Sequence, residues 1–595
     1  MKMSELWNDI LYTDVMHSNG YVVDYAVLTT YSLDMPSLLS VPFSLGTMSD
    51  LSESAMKSPH LILETINRSA GKFVIFCNAG SIAVPQQNSK VYALLERSVV
   101  QINLPAKGKG FINFHPKVWV IKETNPDTGD KQLKVVVLSR NLTSSNDLDV
   151  VCELVGKINS EPATDMAKTK HKPLSDFLRW LHQHKQNHTS REIRKNIEEI
   201  INDIQHVEDF DLKDSLFKDY DFFPMGIDDY NGIDKCLNDN ILDHAAEMVV
   251  ISPFIDAKTL EMMTKCSPKT KKTLITRYSS LDNEILKLFN DGVYVPKEVL
   301  TDKVEKDVTV DLHEKVYFVH DYDTGYNNLY LGSTNATQNG FGRNVEFLLR
   351  LRFAPYKNSY DRFRGEFIHD NKECLFEKVN SIADDTVKED YTNEMELRKA
   401  ISAILNAKIV EVNKSYNVVV NCCKGKLQQS EAYLYPIGCE SMKCSLTENV
   451  MFVGLDLSKL TELYVIGIGD IKRVIKIDTV GLPIAERDKA IFRSIVDTKS
   501  KFIGYLAFML TDDVEQHILE SQQLEKELAD GNNTAKEQEI SISLYEDMLR
   551  MAYSNPDRVA AIRSIIEKAD TSVIPDSFGE MYAAFEKAIK KIRRL

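Results

Sequence analysis

The chain has 595 residues, of which 43% are hydrophobic and 27% are charged, and its formal net charge is −15. At roughly 150 residues per domain, this length predicts about four folding units, and the apolar fraction excludes a globally disordered protein. The negative charge excludes a generally basic coat for nucleic acid, but it leaves room for a local basic cleft.

Targeting, membrane and metal signals are missing from the pattern of residues. The first residues contain no apolar core of signal-peptide length, and the most apolar short run, 502–510, is about half as long as a bilayer span. The nine cysteines include no CxxC pair and predict no disulfide framework, and the cluster in 422–444 fits no common zinc spacing. We therefore expect a soluble, cytoplasmic protein with no membrane contact, no metal and no cofactor.

The first chemical motif begins at His115 with a His-Pro-Lys triplet. An apolar run, a turn rich in Asn, Asp and Gly, and a second apolar run follow, and the second run ends in the string Ser-Arg-Asn-Leu-Thr. Two such runs around a polar turn predict a β-hairpin, and residues two apart on a strand share a face. The first set of candidate site residues is therefore His115, Lys117, Ser139, Arg140, Asn141 and, in the next apolar run, Glu153.

Residues 164–224 separate this motif from the second half of the chain and have a polar, helical pattern. Residues 196–221 contain nine acids and two lysines. This pattern predicts an acidic helical connector with a solvated surface. An alternative is that the acids gate the cleft by imitating a phosphate strand.

The whole motif recurs once in the second half. A His-Glu-Lys triplet begins at His313, a second hairpin follows, and it ends in Ser-Thr-Asn-Ala-Thr. These are the only two His-x-Lys triplets and the only two Ser-x-Asn-x-Thr strings in the chain. Buried-strand patterns precede both copies, so the sequence predicts a duplicated α/β lobe. The second set of candidates is His313, Lys315, Ser333, Asn335, Arg343 and Glu346.

These residue types suit a phosphodiester as the ligand. Two lysines and two asparagines can hold its equatorial oxygens without a metal. One imidazole can attack phosphorus through a phosphohistidine intermediate while the other protonates the leaving oxygen. Glu153 and Glu346 are expected to orient the imidazoles. Ser139 and Ser333 are expected either to bind substrate or to cap the helix that follows each of them.

The paired motif resembles the phospholipase D superfamily, whose two half-sites each supply His-x-Lys and a later Ser-x-Asn element. The resemblance covers roughly residues 60–355. Lys122 and His320 stand where that family often has Asp, which is closer to its nuclease and tyrosyl-DNA phosphodiesterase branches than to its lipases. The resemblance implies that one histidine is the nucleophile, with His115 favoured, and it implies catalytic roles for His115, Lys117, Asn141, His313, Lys315 and Asn335.

The rest of the chain follows a different pattern. Residues 386–481 are rich in β-like runs and predict a small β-rich accessory domain, and 482–595 predict helices that serve a partner, a regulator or a second subunit of a homo-oligomer. The predicted fold class is α/β, with duplicated phospholipase D-like lobes of mixed sheets flanked by helices. The expected divisions are 1–163 (lobe 1), 164–224 (connector), 225–385 (lobe 2), 386–481 (β-rich) and 482–595 (helical).

Lipid-directed members of the resembling family often have an export signal or a membrane segment, and the lack of either pattern here favours nucleic acid, with DNA first, as the substrate. Local positive charge supports this in part. Residues 265–277 are basic, and Lys107, Lys109, Arg140 and Arg343 lie near the motifs in sequence, so we expect contacts to the phosphate backbone. The habits of the resembling family imply a nuclease of a bacterial antiviral defence or restriction system with a helicase or ATPase partner. The alternatives are DNA-end processing, lipid phosphodiester hydrolysis, and nucleic-acid binding without catalysis.

Overall fold

The structure is a computed structural model. It describes residues 15–46, 59–86, 90–104, 111–144, 149–184, 190–212, 216–228, 230, 244–266, 269–297, 312–369, 374–382, 392–425, 427, 430–510, 544–553 and 556–592. Lys107 and Lys109 lie outside these ranges, and so do residues 511–543, which contain one of the expected C-terminal helices.

The first lobe is built on seven strands: β1 (Val22–Thr30), β2 (Phe73–Asn78), β3 (Val99–Ile102), β4 (Val118–Thr124), β5 (Lys131–Leu138), β6 (Val151–Lys157) and β7 (Asp211–Leu212). They form one sheet in the order β3-β2-β1-β4-β5-β6-β7. The first three strands are parallel, and β4 to β7 are antiparallel. Every residue of β2 is buried, as expected for a parallel strand covered on both faces.

The second lobe has eight strands: β8 (Asp219–Met225), β9 (Ala245–Ile251), β10 (Lys271–Ile275), β11 (Gly292–Pro296), β12 (Val316–Asp321), β13 (Asn327–Gly332), β14 (Glu346–Phe353) and β15 (Phe376–Val379). Their order is β15-β11-β10-β9-β12-β13-β14-β8. The inner six strands repeat the order and the directions of β3-β2-β1-β4-β5-β6. The duplication is therefore a property of the fold, as the motifs predict, and both predicted hairpins are present as β4–β5 and β12–β13.

Nine helices cover the faces and edges of these two sheets. They are α1 (Met35–Gly46), α2 (Pro59–Ser69), α3 (Tyr92–Leu95), α4 (Asp165–Gln183), α5 (Arg191–Ile204), α6 (Ala257–Met263), α7 (Asn283–Leu288), α8 (Gln338–Gly342) and α9 (Tyr360–Phe367), counted within the described ranges.

The segment expected as an acidic connector is partly built into both lobes. Besides α4 and α5 it supplies β7 and most of β8, which are the outer neighbours of β6 and β14 in the two sheets. The buried side of α5 repeats at helical spacing, through Ile193, Ile197, Ile200 and Ile204. These side chains and the apolar face of α4 join a core that both lobes share. The acids therefore lie on a helix and strands whose apolar faces are structural.

The C-terminal region begins with α10 (Thr392–Ala403) and continues through two four-stranded sheets, β20-β17-β16-β23 and β19-β18-β21-β22. The strands are β16 (Ile404–Val412), β17 (Ser415–Cys422), β18 (Tyr433–Pro436), β19 (Cys444–Ser445), β20 (Asn449–Leu455), β21 (Leu463–Ile468), β22 (Ile471–Lys476) and β23 (Thr479–Val480). Helices follow at α11 (Ile484–Ile495), α12 (Lys499–Leu510), residues 544–553, α13 (Pro556–Lys568) and α14 (Asp576–Ile592). The predicted α/β class, with two lobes followed by β-rich and helical regions, is confirmed.

The C-terminal region packs on lobe 1. One continuous apolar core contains alternate residues of β1 and β2, such as Leu28 and Ile75, together with β21 and α12. The apolar run at 502–510 is the buried part of α12. None of the described helices combines the length and the hydropathy that a membrane crossing requires.

Candidate active site

Both His-x-Lys motifs lie where the two lobes meet. Phe114 and Val345 form a parallel bridge between the lobes, and the backbone N–H of His115 donates to the carbonyl of Val345 over 2.8 Å. The ring of Phe114 is buried and stacks on Trp180 with centroids 6.1 Å apart. Because alternate residues of an extended segment face opposite ways, His115 projects away from that core and into the junction.

A carboxylate from lobe 2 holds the imidazole of lobe 1. The Nδ1 atom of His115 lies 2.8 Å from Oε2 of Glu346, and the Glu346 side chain is completely buried. That carboxylate also accepts hydrogen bonds from the Ser333 hydroxyl over 2.5 Å and from the Asn344 amide over 3.2 Å. In the other direction, the Lys315 ammonium donates to the carbonyl of Ser139 over 3.4 Å. Each lobe therefore completes the half-site of the other.

Asp149, not Glu153, is the counterpart of Glu346. The hydroxyl of Ser139 donates to Asp149 and accepts from the N–H of Val150 over 3.0 Å. The hydroxyl of Ser333 makes the same pair of bonds, to Glu346 and to the N–H of the next residue. The expectation for Glu153 is corrected, because it lies four residues further along, inside β6, with its carboxylate 3.8 Å from the ammonium of Lys134. An acid before an apolar run was the right signal, but the acid chosen lies four residues after the one that matches Glu346.

The two serines are structural, which corrects their assignment to substrate binding or helix capping. Ser139 and Ser333 are both fully buried. Each hydroxyl joins a carboxylate to a backbone N–H and so fixes the end of one strand against the start of the next. Their contribution to a ligand is indirect, because they hold Asp149 and Glu346 in place.

The remaining candidates lie at different depths. Asn141 accepts a hydrogen bond from the backbone N–H of Ser32 over 3.4 Å. The Oδ1 atom of Asn335 is buried and accepts no hydrogen bond from the described residues. The guanidinium of Arg140 lies 3.7 Å from Asp149, whereas Arg343 is exposed just after α8. The two asparagines and Arg140 thus lie beside the paired motifs, and Arg343 lies on the surface.

Within the expected basic patch at 265–277, one lysine is paired with acids and another is buried. Lys271 pairs with Glu247 at 3.4 Å and with Asp361 at 3.6 Å, and Lys272 is buried. Arg277 is the member that reaches the second half-site, where its guanidinium donates to the carbonyl of Leu312 over 3.2 Å.

Comparisons with known proteins add only distant likenesses. No family model and no curated protein matches the chain. A crystal structure of the yeast tyrosyl-DNA phosphodiesterase matches at 13% identity and a TM-score of 0.36, over 60% of this chain and 88% of that one. Phosphatidylserine synthase of Haemophilus influenzae matches at 12% identity and 0.34, over 65% and 87%. NucT of Helicobacter pylori matches at 19% identity and 0.19, over 25% and 91%.

The TM-scores of these three likenesses all lie below 0.5, so they do not establish a fold or a function for this chain. Two lobes with the same strand order meet at two His-x-Lys hairpins, and each lobe supplies groups to the other. The chain thus has the duplicated two-lobe α/β fold that the paired motifs predict. The described residues of the junction contain no cluster of three or more side chains of the types that bind metal ions.

Burial is the largest influence on the pKa values of the histidines and lysines at the junction. It lowers the pKa of His115 to about 4, with Glu346 opposing the shift and Lys117 adding to it. It lowers the pKa of His313 to about 2, and the positive charges of Lys315, Arg277 and Lys117 lower it further. Both imidazoles are therefore neutral near pH 7 when no anion is bound.

The two lysines are just as strongly affected. Burial lowers the pKa of Lys315 to about 8, while Asp149 and Glu346 oppose that shift. The pKa of Lys117 falls well below its usual value because of burial and the neighbouring charge of Lys315. Two buried cations held this close repel each other, so an anion placed between them would stabilise both.

Several groups in the site were not anticipated individually from the sequence. Asp149 could have been found by counting from His rather than from Ser, since it comes 34 residues after His115 and Glu346 comes 33 after His313. Tyr31, whose ring centroid lies 4.9 Å from that of His115, follows the end of β1 and carries no motif. Arg398 of α10 donates to the Tyr31 hydroxyl over 3.1 Å, from a segment nearly three hundred residues beyond His115.

Proposed function

We propose that this chain is a metal-independent phosphodiesterase that cleaves phosphodiester bonds of nucleic acid, DNA first, through a phosphohistidine on His115. The observation that carries the proposal is the contact between His115 of one lobe and Glu346 of the other, made beside two buried lysines. This arrangement combines an oriented imidazole with a site for an anion.

The contact with Glu346 selects the tautomer of His115. A carboxylate that accepts from Nδ1–H leaves the lone pair on Nε2, the nitrogen that attacks phosphorus in this proposal. The Lys117 ammonium lies 3.2 Å from Nε2 in the free protein, so it has to turn to the phosphate oxygens when substrate binds. In the first step a P–N bond forms at Nε2, the bond to the leaving oxygen breaks, and that oxygen takes a proton from protonated His313. Glu346 stabilises the imidazolium that results, because its carboxylate is buried against it.

The second step returns both histidines to their starting states. His313, now neutral, takes a proton from water as the water oxygen attacks phosphorus. The P–N bond breaks, the electron pair returns to Nε2 of His115, and His313 is left protonated. The lysines and asparagines hold the equatorial oxygens of phosphorus through both steps.

The low pKa of His313 in the free protein is consistent with this role. Burial lowers that pKa most, and Lys315, Arg277 and Lys117 lower it further. The charge of a bound phosphodiester opposes the effect of the three cations and raises the pKa of the imidazole. His313 therefore gains its proton as the substrate binds, and it loses the proton to the leaving oxygen during the reaction.

Nucleic acid is the substrate class that the surrounding arginines favour. Arg140 and Arg277 lie at the first and second half-sites, and Arg343 is exposed near Glu346 along the chain. Guanidinium groups on both sides of the cut suit a polyanion with phosphates on both sides of the scissile bond. A role in a defence or restriction system, a helicase or ATPase partner and a homo-oligomer remain predictions.

The test is hydrolysis by the full-length protein in excess EDTA, with single- and double-stranded DNA, RNA and phospholipid vesicles as substrates. We expect nucleic-acid cleavage that survives EDTA and is lost in His115→Ala and His313→Ala. His244→Ala is the matched control, because that histidine is exposed at the start of β9 and pairs with Asp323 at 3.1 Å. Cleavage that persists in both site variants, or that strictly requires Mg²⁺, contradicts the proposal.

The intermediate can be trapped with a substrate that needs no acid. A p-nitrophenyl leaving group departs without a proton, so His313→Asn is expected to release one equivalent of p-nitrophenol per protein and then stop. The phosphoryl group should remain on the protein in a form that is stable to base and labile to acid, as a phosphoramidate is. His115→Asn should give no such burst, and a burst from His115→Asn would place the nucleophile on another residue.

A further inference from the structure

A cavity of about 380 Å³ opens beside the first half-site, between lobe 1 and the C-terminal region. Its floor is the carboxyl edge of the parallel strands, where Asn78 ends β2 and Asn103 follows β3. Residues 111–113 form one wall, and the roof is the side of α10 that carries Arg398, Ile401 and Ser402. Ligands of open α/β sheets bind at the carboxyl ends of the strands, so the fold places this cavity where a ligand is expected.

The wall of the cavity at residues 111–113 leads along the chain to His115. The ring of Phe114 points into the core, so Asn113 and His115 lie on the same side of that extended segment. Two extended residues span about 7 Å, which is comparable with one step along a nucleic-acid strand. The side chain of Asn78 accepts from the N–H of Phe114 over 3.0 Å and fixes the segment against the floor of the cavity.

Arg398 brings positive charge to the roof of this cavity. Its guanidinium donates to Asn113 over 2.9 Å and to the hydroxyl of Tyr31 over 3.1 Å, and its Nε donates to Glu394 over 3.2 Å. These bonds use three of the five N–H groups, and the other two have no partner among the described residues. Glu394 also faces Arg473 at 3.6 Å, so two cations share one carboxylate and the roof keeps a net positive charge.

The lining matches a nucleotide. Asn103 is exposed at the floor and can donate and accept, and the amide nitrogen of Asn113 can donate, which suits the polar edge of a heterocyclic base. The Asn78 side chain is bonded to Ala79, Ser81 and Phe114 and shapes the floor instead. Phe111, whose ring lies 5.9 Å from the Arg398 guanidinium, and Ile401 offer apolar surface for the faces of that base. The free N–H groups of Arg398 suit a phosphate.

We propose that this cavity binds the nucleotide next to the scissile phosphate, and that the substrate is a nucleic acid with an unpaired nucleotide at that position. A base in a duplex is stacked and paired, so it reaches a cavity in the protein only after leaving the stack. The inference rests on the proposed phosphodiesterase function and names its substrate class. It also gives α10, outside the duplicated lobes, a part in substrate selection.

The experiment compares two kinds of chromogenic substrate, one without a nucleoside and one with a nucleoside. Methyl p-nitrophenyl phosphate has nothing to place in the cavity, whereas the 3′ and 5′ p-nitrophenyl phosphates of thymidine each carry a nucleoside. We expect kcat/KM for one thymidine ester to exceed that for the methyl ester by about tenfold or more, given the strength of base stacking on protein side chains.

Ser402→Trp is the variant that fills the cavity from its exposed edge. It is expected to reduce the ratio of the two specificity constants to about one. Lys399→Trp places the same bulk on an exposed part of α10 that does not line the cavity, and it should leave the ratio unchanged. A partial loss of folded protein lowers both rates by the same factor and does not change their ratio. An unchanged ratio in Ser402→Trp therefore overturns the proposal. Glycerol p-nitrophenyl phosphate is a further substrate for the same assay. Faster hydrolysis of it than of both thymidine esters also overturns the proposal, since the cavity would then fit a lipid headgroup.

Binding separates failure of this inference from failure of the proposed function. If the protein hydrolyses neither ester, the phosphodiesterase proposal fails, and calorimetry with thymidine monophosphate still tests the cavity. Binding to the unmodified protein that weakens about tenfold or more in Ser402→Trp, but not in Lys399→Trp, supports the cavity. If the methyl ester is hydrolysed without any nucleoside preference, the function stands and the cavity proposal is wrong.

Discussion

The two lobes repeat the same strands in the same order, yet they are unequal where it matters for chemistry. Lobe 2 supplies Glu346, whose carboxylate reaches the imidazole of His115 at 2.8 Å. Lobe 1 supplies Asp149 at the equivalent position, with a side chain one methylene shorter. The first half-site also contacts the C-terminal region through Tyr31 and Arg398. A duplicated sequence has thus produced one firmly held histidine and a second one with a different environment.

This difference indicates a division of labour. A nucleophile has to keep one tautomer and one orientation throughout the reaction, and a buried carboxylate on Nδ1 provides both. A general acid has to change its protonation state during each cycle. The cations around His313 make its pKa sensitive to the charge of the ligand, which suits a proton that is taken up and released.

The largest expected effect tests the two carboxylates against each other. Glu346→Gln retains the shape of the side chain but removes the carboxylate that selects the tautomer of His115, and we expect kcat to fall about 10³- to 10⁴-fold. Asp149→Asn should lower kcat by only about tenfold, because its partner in lobe 1 is Ser139. Steady-state hydrolysis of methyl p-nitrophenyl phosphate measures both values. Equal losses in the two variants would mean that the half-sites are equivalent.

The next effect concerns how firmly the C-terminal region is fixed to lobe 1. The Arg487 guanidinium of α11 is completely buried against Glu96 and also donates to the carbonyl of Ala93 over 3.3 Å. Arg487→Met leaves the Glu96 carboxylate buried without that partner, and we expect unfolding to become easier by about 3–5 kcal/mol. Denaturant titration gives the value. The double variant Glu96→Gln/Arg487→Met should recover much of the loss, and failure to do so would assign the effect to packing.

The pH profile offers a further way to separate the half-sites. Lys315 holds the anion only while it is charged, and its pKa lies at about 8 in the free protein. Since kcat/KM reports the free protein, it should fall above about pH 8, by up to about tenfold per unit. Arginine keeps its charge at every accessible pH, so in Lys315→Arg this high-pH limb of the profile should move to higher pH or disappear. A limb that is unchanged in Lys315→Arg would belong to another group.

The smallest effect is the control for the buried ion pair. Arg97 and Asp488 form an exposed pair at 2.6 Å beside Glu96 and Arg487, between the same two parts of the molecule. Arg97→Ala is expected to change the free energy of unfolding by less than about 1 kcal/mol, because water and salt screen an exposed pair. A loss as large as that of Arg487→Met would show that the whole interface, and not the buried charge, is responsible.

Much of the fold could be predicted because its signals are local. Apolar runs around polar turns predicted both hairpins, and a motif that occurs only twice predicted the duplication. The carboxylates were harder to place. Glu346 was found because it precedes its apolar run directly. In the first copy the same pattern pointed to Glu153, because an acid within a strand gives the same pattern as an acid at its start, and Asp149 was missed. The registers of β5 with β6 and of β13 with β14 decide between them.

The sequence by itself determined which chemical groups the site contains, since spacing along a strand sets which side chains share a face. Only the tertiary structure decided which groups meet. The carboxylate on His115 comes from residue 346, and the arginine above Tyr31 comes from residue 398 of a region with no motif. Contacts of this kind depend on how the two sheets and α10 pack, and packing is set by the shape and burial of many side chains at once rather than by any pattern along the chain.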